Sequence, residues 1–176
     1  MTNKECKREV IFLDISFFLR YHYIMDTNIT WNKTFMNIAQ EFAQHSTCKK
    51  LQVGSILVKD RRVISTGYNG VPSGMEHCKD KFKDIDITTP EGRQLHHEFC
   101  VQNELHAEQN CIAYAARSGA KIDDDCILYV THACCCDCAK LVVAAGIKHV
   151  VYKEGYKTLD GIEFLKKAGV LVEKVD

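Results

Sequence analysis

Apolar side chains along this chain recur with two periods, and the period changes where turn residues cluster. Trp31, Phe35, Ile38, Ala39, Phe42 and Ala43 fall three and four residues apart, which predicts a helix from near Thr30, capped by Thr30 or Asn28. The β-branched segments 53–59 and 62–67 flank Asp60-Arg61 and predict a hairpin. Asn69-Gly70, Pro72 and Gly74 end the second strand in an irregular turn. After residue 103 the two periods alternate. Helices are predicted over 104–118, 136–145 and 159–168, the first two stopped by Gly119 and Gly146, and strands over 126–131, 149–154 and 170–175. Such alternation implies a parallel sheet portion covered by helices, beside an antiparallel hairpin. Residues 75–102 show no period and read as a loop, a length that inside a compact domain is normally functional or pinned.

Composition narrows the class. The 176 residues suit one domain, expected over 29–176, with residues 1–28 as an N-terminal extension, helical or poorly ordered. Lys4, Lys7 and Arg8 ahead of the apolar stretch 10–19 loosely resemble a secretory signal. Asp14 interrupts that stretch, Arg20 closes it and no small-residue cleavage site follows, so the extension reading is preferred. Charge is balanced, 23 basic against 23 acidic residues, which offers no polycationic field for nucleic acid. No apolar run reaches the roughly 18 residues a membrane helix needs. Five of the ten cysteines (Cys126, Cys134, Cys135, Cys136 and Cys138) crowd together, and adjacent cysteines bridge one another poorly. Clustered thiols near histidines read as metal ligands in a reducing compartment, so a cytoplasmic location is expected.

The chemistry lies in His106-Ala-Glu108 and Cys135-Cys-Asp-Cys138. Within the cysteine run only Cys135 and Cys138 stand three apart, and residues so spaced at a helix start share a face. One imidazole and two thiolates suit Zn2+, and three protein ligands leave a position for water, which marks a catalytic rather than a structural site. Glu108 is a poor fourth ligand. In mid-helix it would point about 200° away from His106, but in a first turn it can reach a water and serve as proton shuttle. A lone Cys-x-x-Cys would also suit a redox pair, but no thioredoxin-like pattern surrounds it.

These motifs, in this order, resemble the zinc-dependent nucleobase deaminases. His106-Ala-Glu-Gln-Asn110, Cys135-x-x-Cys138-Ala-Lys140, Ala145-Gly-Ile-Lys148 and Gly67-Tyr-Asn-Gly70-x-Pro72 resemble in particular the deoxycytidylate (dCMP) deaminases, over roughly residues 31–175. The resemblance implies a three-layer helix–sheet–helix sandwich around a five-stranded mixed sheet, usually a homohexamer. The implied reaction is hydrolysis of dCMP to dUMP and ammonia, supplying dUMP for thymidylate synthesis. A water that zinc activates adds at C4 of cytosine, and Glu108 carries its proton to N3 and then to the departing amine. The resemblance also assigns nucleotide contacts to Asn69, Gly70 and Tyr156, and implies the effectors dCTP and dTTP. Some phage members hold a second, structural zinc; the matching positions here are Cys48, Cys78, His96 and Glu104. Such a site would pin the 75–102 segment. The family normally carries proline before its first ligand cysteine, where this chain has Cys134. The alternatives are a deaminase of dCTP, guanine or tRNA adenosine, or a non-catalytic zinc scaffold; the latter has no need of Glu108.

Overall fold

The computed structural model describes residues 30–176; the extension expected over 1–28 lies outside the described residues. Helix α1 covers 30–43, and β1 (Gly54–Lys59) and β2 (Arg62–Tyr68) form the anticipated hairpin. Asp60 and Arg61 both take positive φ, 50° and 58°, as a two-residue hairpin turn matched to strand twist requires. Then follow α2 (Cys78–Lys81), α3 (Pro90–Asn103), α4 (Ala107–Ser118), β3 (Ile127–His132), α5 (Cys136–Ala144), β4 (His149–Glu154), α6 (Asp160–Lys167) and β5 (Leu171–Lys174).

The five strands make one sheet in the order β2-β1-β3-β4-β5. The β1–β2 and β1–β3 pairs are antiparallel, the β3–β4 and β4–β5 pairs parallel. Strands β1 and β3 are buried almost end to end because helices cover both faces, whereas edge strands β2 and β5 keep exposed positions. On one face Leu57, Leu128, Val130 and Val150 pack with Cys111 and Ile112 of α4, Val142 of α5 and Leu165 of α6. On the other, Tyr129 stacks on Phe35 of α1 at 5.3 Å and donates its hydroxyl hydrogen to Asn32 Oδ1 at 2.8 Å. The result is the expected helix–sheet–helix sandwich with a mixed sheet.

The segment 75–102 corrects the sequence reading, because it holds α2 and most of α3 rather than a loop. Helix α3 lacks an apolar stripe: its buried residues are Gly92 and His96, while Leu95 and Val101 face solvent. Its start was nevertheless written in the sequence. Thr89 accepts the Gly92 N–H at 3.1 Å and Pro90 occupies the first turn, a cap worth about 1 kcal/mol.

Helix α4 lies on β2 at a distance only glycine permits. A Cβ on Gly67 would lie 2.3 Å from the Ala107 carbonyl oxygen and 2.5 Å from the Cys111 nitrogen, both backbone atoms. Gly67→Val is expected to lift the start of α4 from the sheet and lower stability by about 3 kcal/mol or more, read as a fall in the urea unfolding midpoint.

Candidate metal centre

Two chain segments converge where β3 hands over to α5 and the β2 turn meets α4. Beyond Tyr68 the backbone of Gly70 pairs with Leu105, N–H to O at 3.1 and 2.9 Å, which fixes the residue before His106. His106 is the N-cap of α4 (φ −75°, ψ 159°), and its N–H donates to Gln109 Oε1 at 2.7 Å. The helix thus begins at Ala107, later than the sequence pattern placed it. Because His106 has extended backbone, the mid-helix angle that would part it from Glu108 does not apply. Cys135 is the N-cap of α5 (φ −69°, ψ 170°), and its sulfur accepts the Cys138 N–H at 3.5 Å.

These caps bring one imidazole nitrogen to two sulfurs. His106 Nδ1 stands 3.5 Å from Cys135 Sγ and 3.3 Å from Cys138 Sγ. With Zn–S near 2.3 Å and Zn–N near 2.0 Å, a tetrahedral ion would hold such atoms about 3.6 Å apart. The donor set therefore fits zinc in both chemistry and spacing. Among the described residues no fourth Cys, His, Asp or Glu joins the three. His106 is exposed, Cys135 half-buried and Cys138 buried, so the group opens toward solvent on one side. A hydrogen bond from Cys138, reinforced by His106, holds the Cys135 thiol down to about 4. That same bond, with burial, pushes Cys138 up.

Glu108, in the first turn of α4, is 4% exposed, and burial raises its carboxyl above the ordinary range. The fully buried Cys134 lies close enough to feel its charge, and burial together with that charge pushes the Cys134 thiol well up. The Cys134 turn is seated against α6: a Cβ on Gly161 would fall 2.0 Å from the Cys134 carbonyl oxygen. Tyr156 is half-buried and lies close enough to feel the charges of Cys135, Glu108 and Cys138. Asn69 has structural work: its Oδ1 accepts the Val53 N–H at 2.8 Å and its Nδ2 donates to the Leu51 carbonyl at 2.9 Å. Gly70 sits beside His106 through the Leu105 pairing.

A second group forms below α3. His96 Nε2 is 3.3 Å from Cys78 Sγ and 3.8 Å from Cys48 Sγ. A residue absent from the sequence reading joins them: Cys100 Sγ is 3.6 Å from both His96 ring nitrogens. Cys48, Cys78 and His96 are buried and Cys100 half-buried, so this group is closed where the first is open. Phe82 packs over it, 5.2 Å from the His96 ring and 5.4 Å from Phe99. Glu104, the C-cap of α3, lies beside the three thiols; burial pushes its carboxyl up to about 7, and its Oε1 is buried without a hydrogen-bond partner. The signal for Cys100 was its place four residues after His96, informative only once residues 90–103 are recognised as helix.

Residues 29–154 match the family model described as the cytidine and deoxycytidylate deaminase zinc-binding region. The chain belongs to this deaminase family. ComE operon protein 2 of Bacillus subtilis is 39% identical over 149 residues, 84% of this chain and 72% of that protein. The deoxycytidylate deaminase of Enterobacteria phage T4 is 36% identical over 171 residues, 81% of this chain and 88% of that protein. The solved structure of a dCMP deaminase from the cyanophage S-TIM5, in complex with dCMP and dUMP, superposes with a TM-score of 0.67 at 36% identity. It covers 81% of this chain and 95% of that one. Among the described residues no helix is long and apolar enough to cross a membrane, and all nine described cysteines are unpaired.

Proposed function

We propose that residues 29–176 form a zinc-dependent deaminase that hydrolyses dCMP to dUMP and ammonia. The observation that carries this reading is the buried Glu108 carboxyl set beside an open group of one imidazole and two thiols. A zinc scaffold without activity would not keep a desolvated acid there, since burying it unused costs stability. His106, Cys135 and Cys138 hold the metal. Zinc, when bound, supplies the Lewis acidity that makes a water nucleophilic near neutral pH. Glu108 accepts the water's proton, passes it to N3 of the pyrimidine, and then protonates the amine leaving C4. Its position out of bulk water raises its carboxyl above the ordinary range, which makes it a stronger base toward the water and so favours the proton transfers. Cys134, fully buried, lies beside Glu108.

Tyr156 contacts the pyrimidine from the β4 side. Asn69 and Gly70 line the nucleotide's approach; Asn69 does so chiefly by holding the 51–53 backbone, since its side chain already serves Leu51 and Val53. A second metal, held by Cys48, Cys78 and His96 with a fourth ligand from the end of α3, pins α2 and α3 to the sheet. The enzyme works in the cytoplasm as a homohexamer answering to dCTP and dTTP. Exposed Leu95, Val101 and Tyr114 are apolar side chains that such an assembly would cover.

Purified protein incubated with dCMP, dCTP, cytidine and deoxycytidine, followed by loss of 4-amino ultraviolet absorbance, tests the reading. Turnover of the monophosphate alone is expected. Turnover of the triphosphate or the free nucleosides in its place would assign another substrate, and no turnover with zinc present would leave a scaffold.

A further inference from the structure

We infer that Cys100 is the fourth protein ligand of the closed second site, so that its metal is held by three thiolates and one imidazole, with Glu104 outside the ligand set. This rests on the second-metal reading proposed above. His96, Cys100 and Glu104 follow one another at four-residue intervals, so both candidates face the side of α3 that carries the histidine. Their backbones differ. Cys100 lies within regular helix, while Glu104 is the C-cap with φ −92° and ψ 135°, which turns its side chain off the helical register. Distances then separate them. The ligand atoms of Cys48, Cys78, His96 and Cys100 all lie within 4.8 Å of one another, and Glu104 contributes no atom to that group.

The three sulfur-to-nitrogen approaches, 3.8, 3.3 and 3.6 Å, bracket the edge of about 3.6 Å that a tetrahedral zinc site sets between sulfur and nitrogen. Chemistry points the same way: Cys3His is an established closed zinc set, and thiolates suit this ion better than a carboxylate does. Three thiolates more than neutralise a divalent ion, so binding Glu104 as well would add a buried negative charge with nothing to offset it. Glu104 is better placed to accept a hydrogen bond from a ligand or a water, which its unpartnered Oε1 leaves room for.

The two ligand sets predict different zinc spectra for the unmodified protein, so no variant has to survive for a decision. X-ray absorption at the zinc edge of the full chain, after metal analysis, counts sulfur neighbours. Two zinc per chain with an average of about 2.5 sulfurs each supports Cys100, whereas an average of about 2.0 with an added oxygen overturns it in favour of Glu104. One zinc per chain would remove the second-metal reading itself, and the inference with it. The result can be checked in cobalt-loaded protein. Cys100→Ser should weaken the sulfur-to-cobalt charge-transfer absorption and Glu104→Gln should leave it unchanged; the reverse pattern would overturn the assignment.

Discussion

Glu108→Gln is expected to bind zinc as the unaltered chain does, to unfold at the same urea concentration within error, and to lose deaminase activity by at least about 10³-fold. The side chains are nearly isosteric, and Glu108 lies outside the three-ligand group, so neither packing nor metal binding depends on its charge. In the proposed mechanism two proton transfers do depend on it. An amide can neither take a proton from water nor return one to a leaving amine, and at 4% exposure bulk solvent cannot substitute. Burial also bears on stability: a desolvated carboxylate is costly, so the uncharged glutamine should leave the fold equally or slightly more stable. The informative pairing is therefore unchanged zinc content and undiminished stability with activity near background. Normal deamination by this variant would remove the assigned proton carrier.

How much of this was legible in the sequence follows from which physical signal each part depends on. The alternating elements after residue 103 were plain because β3, α5, β4 and α6 bury apolar side chains on regular faces. The group His106, Cys135 and Cys138 could be named because a metal restricts both residue type and spacing. That Glu108 can share their site was not decidable from spacing alone. It needed the extended backbone of His106, a property of the cap and not of the helical period. Helix α3 was missed for a related reason: what it buries is an imidazole, so it leaves no trace in an apolar periodicity. Missing the helix hid Cys100, whose relation to His96 exists only in helical register. Asn69 shows a second kind of illegibility: the resemblance assigns it a nucleotide contact, while its hold on the 51–53 backbone could be read only from the structure.

Cys135→Ala should cost the catalytic metal outright, and its neighbours should not. Removing one of three ligands leaves His106 Nδ1 and Cys138 Sγ as a two-point hold, too weak to keep zinc through dialysis against a mild chelator. Zinc content is expected to fall by one ion per chain, with the second site still filled and activity at background. The fold should survive with a loss of about 1 kcal/mol, because Cys135 also caps α5 through the Cys138 N–H. The flanking thiols provide the control, since all three substitutions remove one sulfur within two residues of backbone. Cys136 is exposed and belongs to neither metal group, so Cys136→Ala should keep zinc, activity and stability. Cys134 is fully buried against Glu108, so Cys134→Ala should keep its zinc but lose about 1–2 kcal/mol to the cavity. A modest, few-fold fall in turnover should accompany it as Glu108 loses its buried neighbour. If Cys134→Ala released the zinc while Cys135→Ala held it, the first thiolate would have to be Cys134, against the cap geometry that places Cys135 beside His106.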